Sequence, residues 1–418
     1  MLFRSDTGDP DPSAVEGGSM MLTREILLKK TETVREKAVL LRREFHRIPE
    51  LGFAETETTE RICRHLRELG ITPHPLEPTG VCAFIGPEEG YTIALRADID
   101  GLPVTEKTGL SFASEHAGRM HACGHDGHIA GLLGAAAVLK ELEDALSVRV
   151  KLIFQPSEEN TKGAAHILKQ GVLDDVNCIF GLHLFSDKKV GEISVEEGPR
   201  MAQTDRFSIK FQGRGGHAGK PHQCVDATVM AADFVMSVQS IVSREVDPLE
   251  GAVVTIGSLH AGTQYNVIAG EAQVEGTCRS FREETARHLK GAVEKRAAHI
   301  ADYYGGKAEI AYTYGAHPPL VNDARMTARV AACAESLLGH RLTHEEPLML
   351  GEDFSWYQTK VPGVFAFVGC GDPEKPCFPN HHPCFDIDER ALTDAVLLHL
   401  AAVCAAEKSC ACREKASV

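Results

Sequence analysis

The sequence predicts an α/β protein with a mainly parallel sheet, covered by helices on both faces, and a smaller α+β domain inserted into it. Three observations favour this fold class. Buried strands alternate with helices between residues 81 and 184, half-exposed strands follow after residue 200, and the first pattern resumes after residue 315. The chain has 418 residues, enough for two or three domains, and its hydrophobic content of 43% is typical of a globular protein.

The first part of the chain contains the elements of the expected parallel sheet. Apolar residues recur at helical spacing from residue 23, and Pro49 ends that helix because proline disfavours helical backbone in the residue before it. Gly70 ends a second predicted helix, since glycine readily adopts the left-handed conformation with which helices often end. The predicted helices are 23–48, 55–69 and 129–142, and the predicted strands are 81–85, 92–97, 148–154 and 178–184.

The pattern then changes to that of a small α+β domain. Strands are predicted over 207–212, 252–259 and 272–281, helices over 227–242 and 283–301, and a flexible glycine-rich loop over 213–219. After it, helices 324–338 and 388–407 and strand 364–368 return to the first pattern. The expected division is a disordered leader or cloning remnant at 1–20, a first domain at 21–199 and 315–418, and an inserted domain at 200–314.

Charge and cysteine content restrict the partners and the compartment. The formal net charge of −15, with no basic run to offset it, argues against nucleic acid or an anionic membrane as a partner. We find no apolar stretch long enough to span a bilayer, and the leader lacks the apolar core of a signal peptide. The thirteen cysteines are odd in number and scattered, so we expect reduced thiols in the cytoplasm.

Residues 120–128 concentrate potential metal ligands. His121, Cys123, His125, Asp126 and His128 lie within eight residues, and glycines at 124 and 127 allow a tight backbone. A thiolate and an imidazole at Cys123 and His125 suit zinc or another borderline divalent ion. The alternative is an inert cysteine among surface histidines, which partners elsewhere in the chain disfavour.

Glu158 and Glu159 follow a buried strand directly. Adjacent carboxylates repel each other, and a cation between them resolves the conflict. One glutamate can then bind metal while its neighbour accepts a proton from water. A solvated Ser-Glu-Glu-Asn turn is the alternative for this motif taken alone.

Several further residues are candidates with plain structural alternatives. His183 either completes the metal shell or is a core histidine, and one of His381 and His382 either closes the shell or lies on a surface loop. His217, in the glycine-rich loop, either polarises a substrate carbonyl or is exposed to solvent. The other candidates lie in or near the inserted domain: Arg279 as a carboxylate ligand or a surface ion pair, Asn266 on a loop, and Gly351 in a binding loop or at a helix start.

These residues, in this order, resemble the M20 metallopeptidases, and in particular the amidohydrolase branch of aminoacylase-like enzymes, hippurate hydrolases and auxin-conjugate hydrolases. The resemblance extends from residue 46 to residue 386. It rests on the segments His46-Arg47-Ile48-Pro49-Glu50, Arg96-Ala97-Asp98-Ile99-Asp100-Gly101-Leu102-Pro103, 120–128, 155–159, Gly181-Leu182-His183, Gly215-Gly216-His217-Ala218, Tyr265-Asn266-Val267-Ile268, Gly276-Thr277-Cys278-Arg279 and Gly351-Glu352-Asp353-Phe354.

The resemblance implies a role for each candidate residue. A two-metal site would be formed by Cys123, as bridging ligand, with His125, Glu159, His183 and His381. Glu158 would be the general base, and His217, often supplied by the partner subunit in this family, would polarise the carbonyl. Asn266, Arg279 and the amide of Gly351 would bind the substrate carboxylate. The sequence departs from the family's pattern at His382, Ser157 and Lys220.

The resulting hypothesis is a cytoplasmic, homodimeric amidohydrolase that cleaves N-acyl amino acids into a carboxylic acid and a free amino acid. Its cofactors would be two divalent ions, with Mn or Zn favoured and Co or Ni possible from the donor set. The alternatives are a dipeptidase or carboxypeptidase of the same superfamily, a non-catalytic metal-binding protein, and a paralogue that has lost activity. The last two are disfavoured because structural zinc sites have no spare carboxylate such as Glu158, and because no expected catalytic position is missing.

Overall fold

The computed structural model describes residues 22–339, 342–375 and 377–416. The predicted leader therefore lies outside the described residues. Within them, two separate sheets account for most of the strands, and the predicted α/β class with a mainly parallel sheet is confirmed. The division of the chain into domains at residues 20, 199 and 314 stays a prediction.

The elements of the first part of the chain come in the expected order, with α1 and α2 ahead of the alternating strands. A buried Glu50 carboxylate accepts the amide N–H groups of Glu57 and Thr58 and so caps α2. The bounds are α1 Arg24–His46, α2 Thr56–Glu68, β1 Pro73–Pro75, β2 Val81–Ile85, β3 Thr92–Asp98, α3 His125–Glu141, β4 Arg149–Gln155, α4 Gly163–Leu168, β5 Cys178–Lys189, β6 Ile193–Ser194 and β7 Gly198–Met201.

The remaining elements form the inserted segment and the return to the first sheet. They are β8 Gln203–Gln212, β9 Gly216–His217, α5 Ala227–Glu245, β10 Ala252–Ala261, β11 Val267–Ile268, β12 Glu271–Ser280, α6 Glu283–Tyr303, β13 Lys307–Thr313, β14 Leu320–Asn322, α7 Ala324–Leu338, α8 Ser355–Gln358, β15 Gly363–Gly371 and α9 Ala391–Ala416.

The larger sheet has seven strands in the order β1-β2-β4-β3-β5-β15-β6. Its four central strands, β4, β3, β5 and β15, are parallel, while the outer strands pair antiparallel. One face packs against α1, α3, α7 and α9, and the other packs against α4 and α8. Because both faces are covered, the central strands are mostly apolar, as parallel strands usually are, with Arg96 on β3 and Lys151 on β4 among the buried exceptions.

The smaller sheet is antiparallel, in the order β10-β12-β8-β13, with α5 and α6 packed on one face. Apolar side chains alternate along β8, where Phe207, Ile209 and Phe211 are buried. Two corrections apply here. β13 is an additional strand that was not predicted, because its residues alternate between exposed and only half-buried and so mark no buried face. His217 lies on a short strand, β9, paired with β11, where a flexible loop is predicted.

Candidate metal and active site

The candidate site lies at the carboxyl edge of the parallel sheet. β3 ends at Asp98, β4 ends at Gln155 just before Glu158 and Glu159, and His183 lies on β5. The fourth contributor is the start of α3, where Gly124 adopts a left-handed conformation with φ of 91° and precedes His125. The helix begins four residues earlier than predicted, with His125 as its first residue and Cys123 just before its N-cap. Open α/β sheets usually bind their ligands at this edge.

Five side chains that the sequence predicts as metal ligands converge in two overlapping groups. Cys123, His125 and His183 offer donor atoms within 4.8 Å of one another, and so do Cys123, Glu159 and His381. Within these groups, Cys123 Sγ lies 3.3 Å from His183 Nε2, and His381 Nε2 lies 3.4 Å from Glu159 Oε1. Cys123 belongs to both groups, which is the arrangement expected of a ligand that bridges two ions.

The hydrogen bonds of the histidines leave the correct nitrogen available for a metal. His125 Nδ1 lies 2.9 Å from the carbonyl oxygen of Asp100, and His183 Nδ1 lies 2.9 Å from that of Leu184. A carbonyl oxygen can only accept, so each Nδ1 carries a proton, and in the neutral ring Nε2 is the atom with the free lone pair. His125 Nε2 and Glu159 Oε1 are buried and have no hydrogen-bond partner among the described residues. These unpaired donors fit divalent metal ions.

The electrostatics of the ligand set also fit a cation. Burial, with the nearby charge of Glu159, raises the pKa of the Cys123 thiol, so a positive charge is needed to hold it as a thiolate. Close contacts with Cys123 and Glu159 raise the pKa of His381 to about 10. Burial, with the nearby His128, keeps the pKa of His183 well below its usual range. A neutral His183 is the form that binds metal.

Three other residues of segment 120–128 are not part of the two ligand groups, and two of them are engaged in hydrogen bonds. His128 donates from Nδ1 to Asp98 at 2.5 Å and accepts the Leu184 amide at Nε2, so both of its nitrogens are used. Asp126 accepts hydrogen bonds from Arg42 and His46. His121 is buried, and burial lowers its pKa to about 3. None of these three residues belongs to the two ligand groups that share Cys123.

His382 also points away from the ligand groups. The Cys384 amide donates to its Nδ1 at 3.0 Å, and its ring stacks on Phe378 with centroids 4.6 Å apart. Of the two adjacent histidines, His381 is therefore the one that the structure brings to Cys123 and Glu159. Its φ of 71° is unusual for a residue with a side chain and reflects the tight turn that carries it.

Glu158 is buried next to the ligand groups but faces other acids. A carboxylate oxygen of Glu158 lies within 4.8 Å of oxygens of Glu352 and Asp353. Burial, reinforced by the charges of Glu352 and Glu159, raises the pKa of Glu158 well above its usual range. A carboxyl group with a raised pKa can accept a proton and later return it near neutral pH.

A buried arginine network, which the sequence interpretation did not identify, supports this acidic group. Arg96 on β3 is fully buried and contacts Asp98 at 2.8 Å, Glu352 at 3.0 Å and Asp353 at 3.2 Å. It therefore compensates Glu352 and Asp353, two acids that lie close to Glu158, and Asp98 as well. The only signal in the sequence is a charged residue inside an otherwise apolar strand.

A cavity of about 470 Å³ opens onto these residues. Its lining includes the candidate site residues Cys123, Glu158, Glu159, His183 and His381. It also includes the polar positions Thr204, Arg279, His317 and Gly351 and the apolar side chains of Phe185, Met201 and Leu350. Arg279 donates to the carbonyl of Met349 at 2.8 Å and pairs with no acidic side chain among the described residues. An arginine without an acidic partner suits a carboxylate from a ligand.

Two predicted residues lie away from this cavity. His217 is exposed on β9, where its Nδ1 accepts the Gly219 amide at 2.9 Å, and Asn266 accepts the Ala218 amide through its carbonyl. Neither lines the cavity. The two residues are close to each other, because β9 pairs with β11, but a single chain does not bring them to Glu158.

The chain is similar in sequence and in fold to known proteins. Residues 94–403 match the family described as peptidase family M20/M25/M40. The chain is 43% identical over 362 residues to an N-acetylcysteine deacetylase of Bacillus subtilis, covering 86% of this chain and 94% of the relative. It is 36% identical over 389 residues to the IAA-amino acid hydrolase ILR1-like 4 of Arabidopsis thaliana, covering 92% and 88%.

A solved structure is similar over almost its full length. The Bacillus subtilis YXEP protein, described as a dinuclear metal binding peptidase from the M20 family, superposes with a TM-score of 0.78 at 38% identity. The match covers 90% of this chain and 98% of that one. None of the helices in the described part of this chain has the length and apolar character needed to cross a membrane.

Proposed function

The chain belongs to peptidase family M20/M25/M40, and on that premise we propose that it hydrolyses the amide bond of N-acyl amino acids. The observation that carries the proposal is the cavity itself. Its lining includes a buried proton acceptor, four of the five metal-type ligands, and an arginine without an acidic partner among the described residues. The fifth ligand, His125, is buried with its donor atom within 4.8 Å of those of Cys123 and His183. An amide with a free carboxylate close to the scissile bond is the substrate that such a cavity suits.

The proposed metal ligands are Cys123, His125, Glu159, His183 and His381, with Cys123 shared between two divalent ions. Mn or Zn is favoured by the mixed thiolate, imidazole and carboxylate set, and Co or Ni also fits. When bound, the ions would make water more acidic and polarise the substrate carbonyl. Two of the assigned donor atoms, His125 Nε2 and Glu159 Oε1, are buried without a hydrogen-bond partner among the described residues, which supports the assignment.

The catalytic steps are proposed for residues of the chain. Glu158 removes a proton from the attacking water and then delivers it to the leaving amine nitrogen, as its raised pKa favours. His217 donates a hydrogen bond to the oxyanion that develops on the carbonyl. The carboxylate of the amino acid is bound by Arg279, the Gly351 amide and Asn266.

A second candidate is hydrolysis of dipeptides with a free amino terminus. Asp187, an exposed carboxylate, lines the cavity and could pair with a substrate ammonium group. One substrate panel tests both candidates: rates of cleavage are compared for N-acetyl, N-benzoyl and indoleacetyl amino acids and for the matching dipeptides. Faster cleavage of dipeptides than of every N-acyl amino acid would favour the second candidate.

The carboxylate contact predicts a large loss on amidation. Converting the substrate carboxylate to a carboxamide should lower kcat/KM by at least about 100-fold, because charge-assisted hydrogen bonds are lost and buried donors stay unpaired. Arg279→Met should lower kcat/KM for the acid and shrink the difference between acid and amide. Arg282→Met, which removes an exposed arginine from the same segment, is the matched control. Equal cleavage of acid and amide by the wild-type enzyme would exclude the carboxylate contact.

The position of His217 supports the proposal of a homodimer joined through the inserted segment. β10 is an edge strand of the smaller sheet, and apolar side chains are exposed nearby, among them Met236 at 75% and Leu259 at 41%. An unpaired edge and exposed apolar residues suit isologous pairing with a second copy. His217 and Asn266 would then reach the cavity of the partner subunit.

A subunit-mixing experiment tests this arrangement. His217→Ala should lower kcat by about 10²–10³-fold without loss of metal, because one oxyanion donor is removed. A heterodimer of one His217→Ala subunit and one Glu158→Gln subunit should regain activity at one of its two sites, since that site combines an intact Glu158 with an intact His217. A purified heterodimer as inactive as either parent would place His217 in its own subunit's site or outside catalysis.

The compartment and the remaining partners are proposed on the same basis. No disulfide joins any of the described cysteines, which supports a reducing, cytoplasmic environment. The net charge of −15 supports a small-molecule substrate rather than nucleic acid or an anionic membrane.

A further inference from the structure

The backbone that carries Glu158 is strained on both sides. Ser157 and Thr161 have φ values of 60°, in the left-handed region that residues with side chains rarely adopt. Such conformations are unfavourable and persist only where surrounding contacts hold them. These two residues flank Glu158 and Glu159, so contacts from other residues must hold this turn.

Three hydrogen bonds hold Ser157, and one comes from a distant part of the chain. The Ser157 amide donates to Glu55 Oε1 at 2.8 Å, its carbonyl accepts the Gly163 amide at 3.0 Å, and its hydroxyl accepts from Asn160 at 2.6 Å. Gly52 packs beneath, where an added Cβ would lie 2.4 Å from the Ser157 hydroxyl oxygen. The first of these bonds connects the turn to the segment just before α2.

Glu55 is an unusual residue to find there. Its relative exposure is 0%, and its second oxygen accepts the Thr79 hydroxyl at 2.7 Å. Burial raises the pKa of Glu55 to about 7. A buried carboxyl group is costly unless its contacts compensate, and the contacts here are the Ser157 amide and Thr79.

The other side of Glu158 is held independently. The Glu159 amide donates to Asp100 Oδ2 at 3.0 Å. Glu55 therefore holds the Pro156–Ser157 peptide group ahead of Glu158, while Asp100 holds the Glu158–Glu159 peptide group after it. Loss of Glu55 would release the backbone ahead of Glu158 and leave the anchor of Glu159 in place.

We infer that Glu55 is a positioning residue for the general base: it holds Ser157 in the left-handed conformation and so directs the Glu158 carboxylate into the cavity. The inference rests on the proposed function, since it takes Glu158 as the base. It assigns a role to a residue that contacts neither metal ligand nor substrate. A misplacement of about 1 Å at a reacting group can lower a rate by about 100-fold, so a distant anchor can matter.

Kinetics of Glu55 variants test the inference. Glu55→Met fills the space without an acceptor, and we expect kcat to fall by about ten- to a hundredfold with KM within about threefold of wild type. Glu55→Gln keeps an acceptor oxygen for the Ser157 amide and should retain most of kcat. Thr79→Val removes the other hydrogen bond of Glu55 and should resemble wild type. If Glu55→Met does not fold, Glu55→Asp, which withdraws the carboxylate by one methylene, replaces it in the comparison.

A double variant separates positioning from general stability. Glycine adopts positive φ without penalty, so Ser157→Gly in the Glu55→Met background should recover at least about fivefold in kcat. A purely structural role for Glu55 would not respond to a change of backbone preference at residue 157. A folded double variant no faster than Glu55→Met would overturn the inference.

Amide hydrogen exchange of the metal-loaded protein gives a readout that needs no activity. A peptide covering residues 155–163 should exchange faster in Glu55→Met than in wild type, and Glu55→Gln should match wild type. Unchanged exchange together with unchanged kcat would also overturn the inference. Failure of the wild-type enzyme to cleave any N-acyl amino acid would contradict the proposed function, whereas the exchange comparison would still decide whether Glu55 holds the turn.

Discussion

Replacing Glu158 with glutamine should remove most turnover while the protein keeps its full metal content. Glutamine preserves the size of the side chain but cannot accept a proton from water or deliver it to the leaving amine. Loss of general acid–base catalysis typically lowers kcat by about 10²–10⁴-fold. Steady-state kinetics on the best N-acyl substrate, combined with elemental analysis of the purified variant, measures both quantities.

Glu159→Gln is the matched comparison for this variant. Glu159 belongs to the ligand group with Cys123 and His381, so its amide variant should lose metal as well as activity. Thermal unfolding of both variants separates loss of function from loss of fold. Near-normal activity of Glu158→Gln at full metal occupancy would show that another group is the base.

Replacing Cys123 with alanine should have an equally large effect through the metal. Cys123 is common to the two ligand groups, so its removal should release or weaken both ions. Because metal ions stabilise developing charge by several kcal/mol, kcat/KM should fall by at least about 10³-fold. Elemental analysis should show less metal per chain, and added metal should not restore the rate.

Cys333→Ala is the control, since Cys333 is buried in the core on α7, away from the cavity. It should keep metal and activity. In wild-type protein, a chelator should abolish turnover and speed labelling of Cys123 by thiol reagents, because a metal-bound thiolate is protected. Equal labelling rates in metal-free and metal-loaded protein would contradict ligation by Cys123.

Much of the fold could be predicted because its signals are local. The strand at 81–85 and the helix at 324–338 coincide with β2 and α7, since buried apolar runs and helical periodicity are readable from neighbouring residues. β13 was missed because its side chains alternate between exposed and only half-buried, which marks no buried face in the sequence. It forms at the sheet edge by pairing with β8. The start of α3 was placed too late because its first turn is polar, and the reason for that polarity lies in the site.

For the site, the sequence predicted which residues come together, but not how each side chain is oriented. Cys123, His125, Glu159, His183 and His381 are brought together by the fold, although their role as ligands stays a prediction. Which adjacent histidine faces the cluster could not be decided, because the choice depends on a turn with positive φ and on the stacking of His382 against Phe378. The contribution of His217 also stays a prediction, because it lies outside the cavity of its own chain.

The sequence by itself determined the α/β class and predicted which segments form the site, because periodicity and donor types are properties of short stretches of chain. Only the tertiary structure decided which nitrogens and oxygens remain unpaired, that Arg96 compensates the acids around Glu158, and that Glu55 reaches Ser157. The physical reason is that the contacts of Glu55 with Ser157 and of Arg96 with Glu352 and Asp353 join residues more than about a hundred positions apart in the chain. Their distances follow from packing of the whole sheet, and no local pattern encodes them.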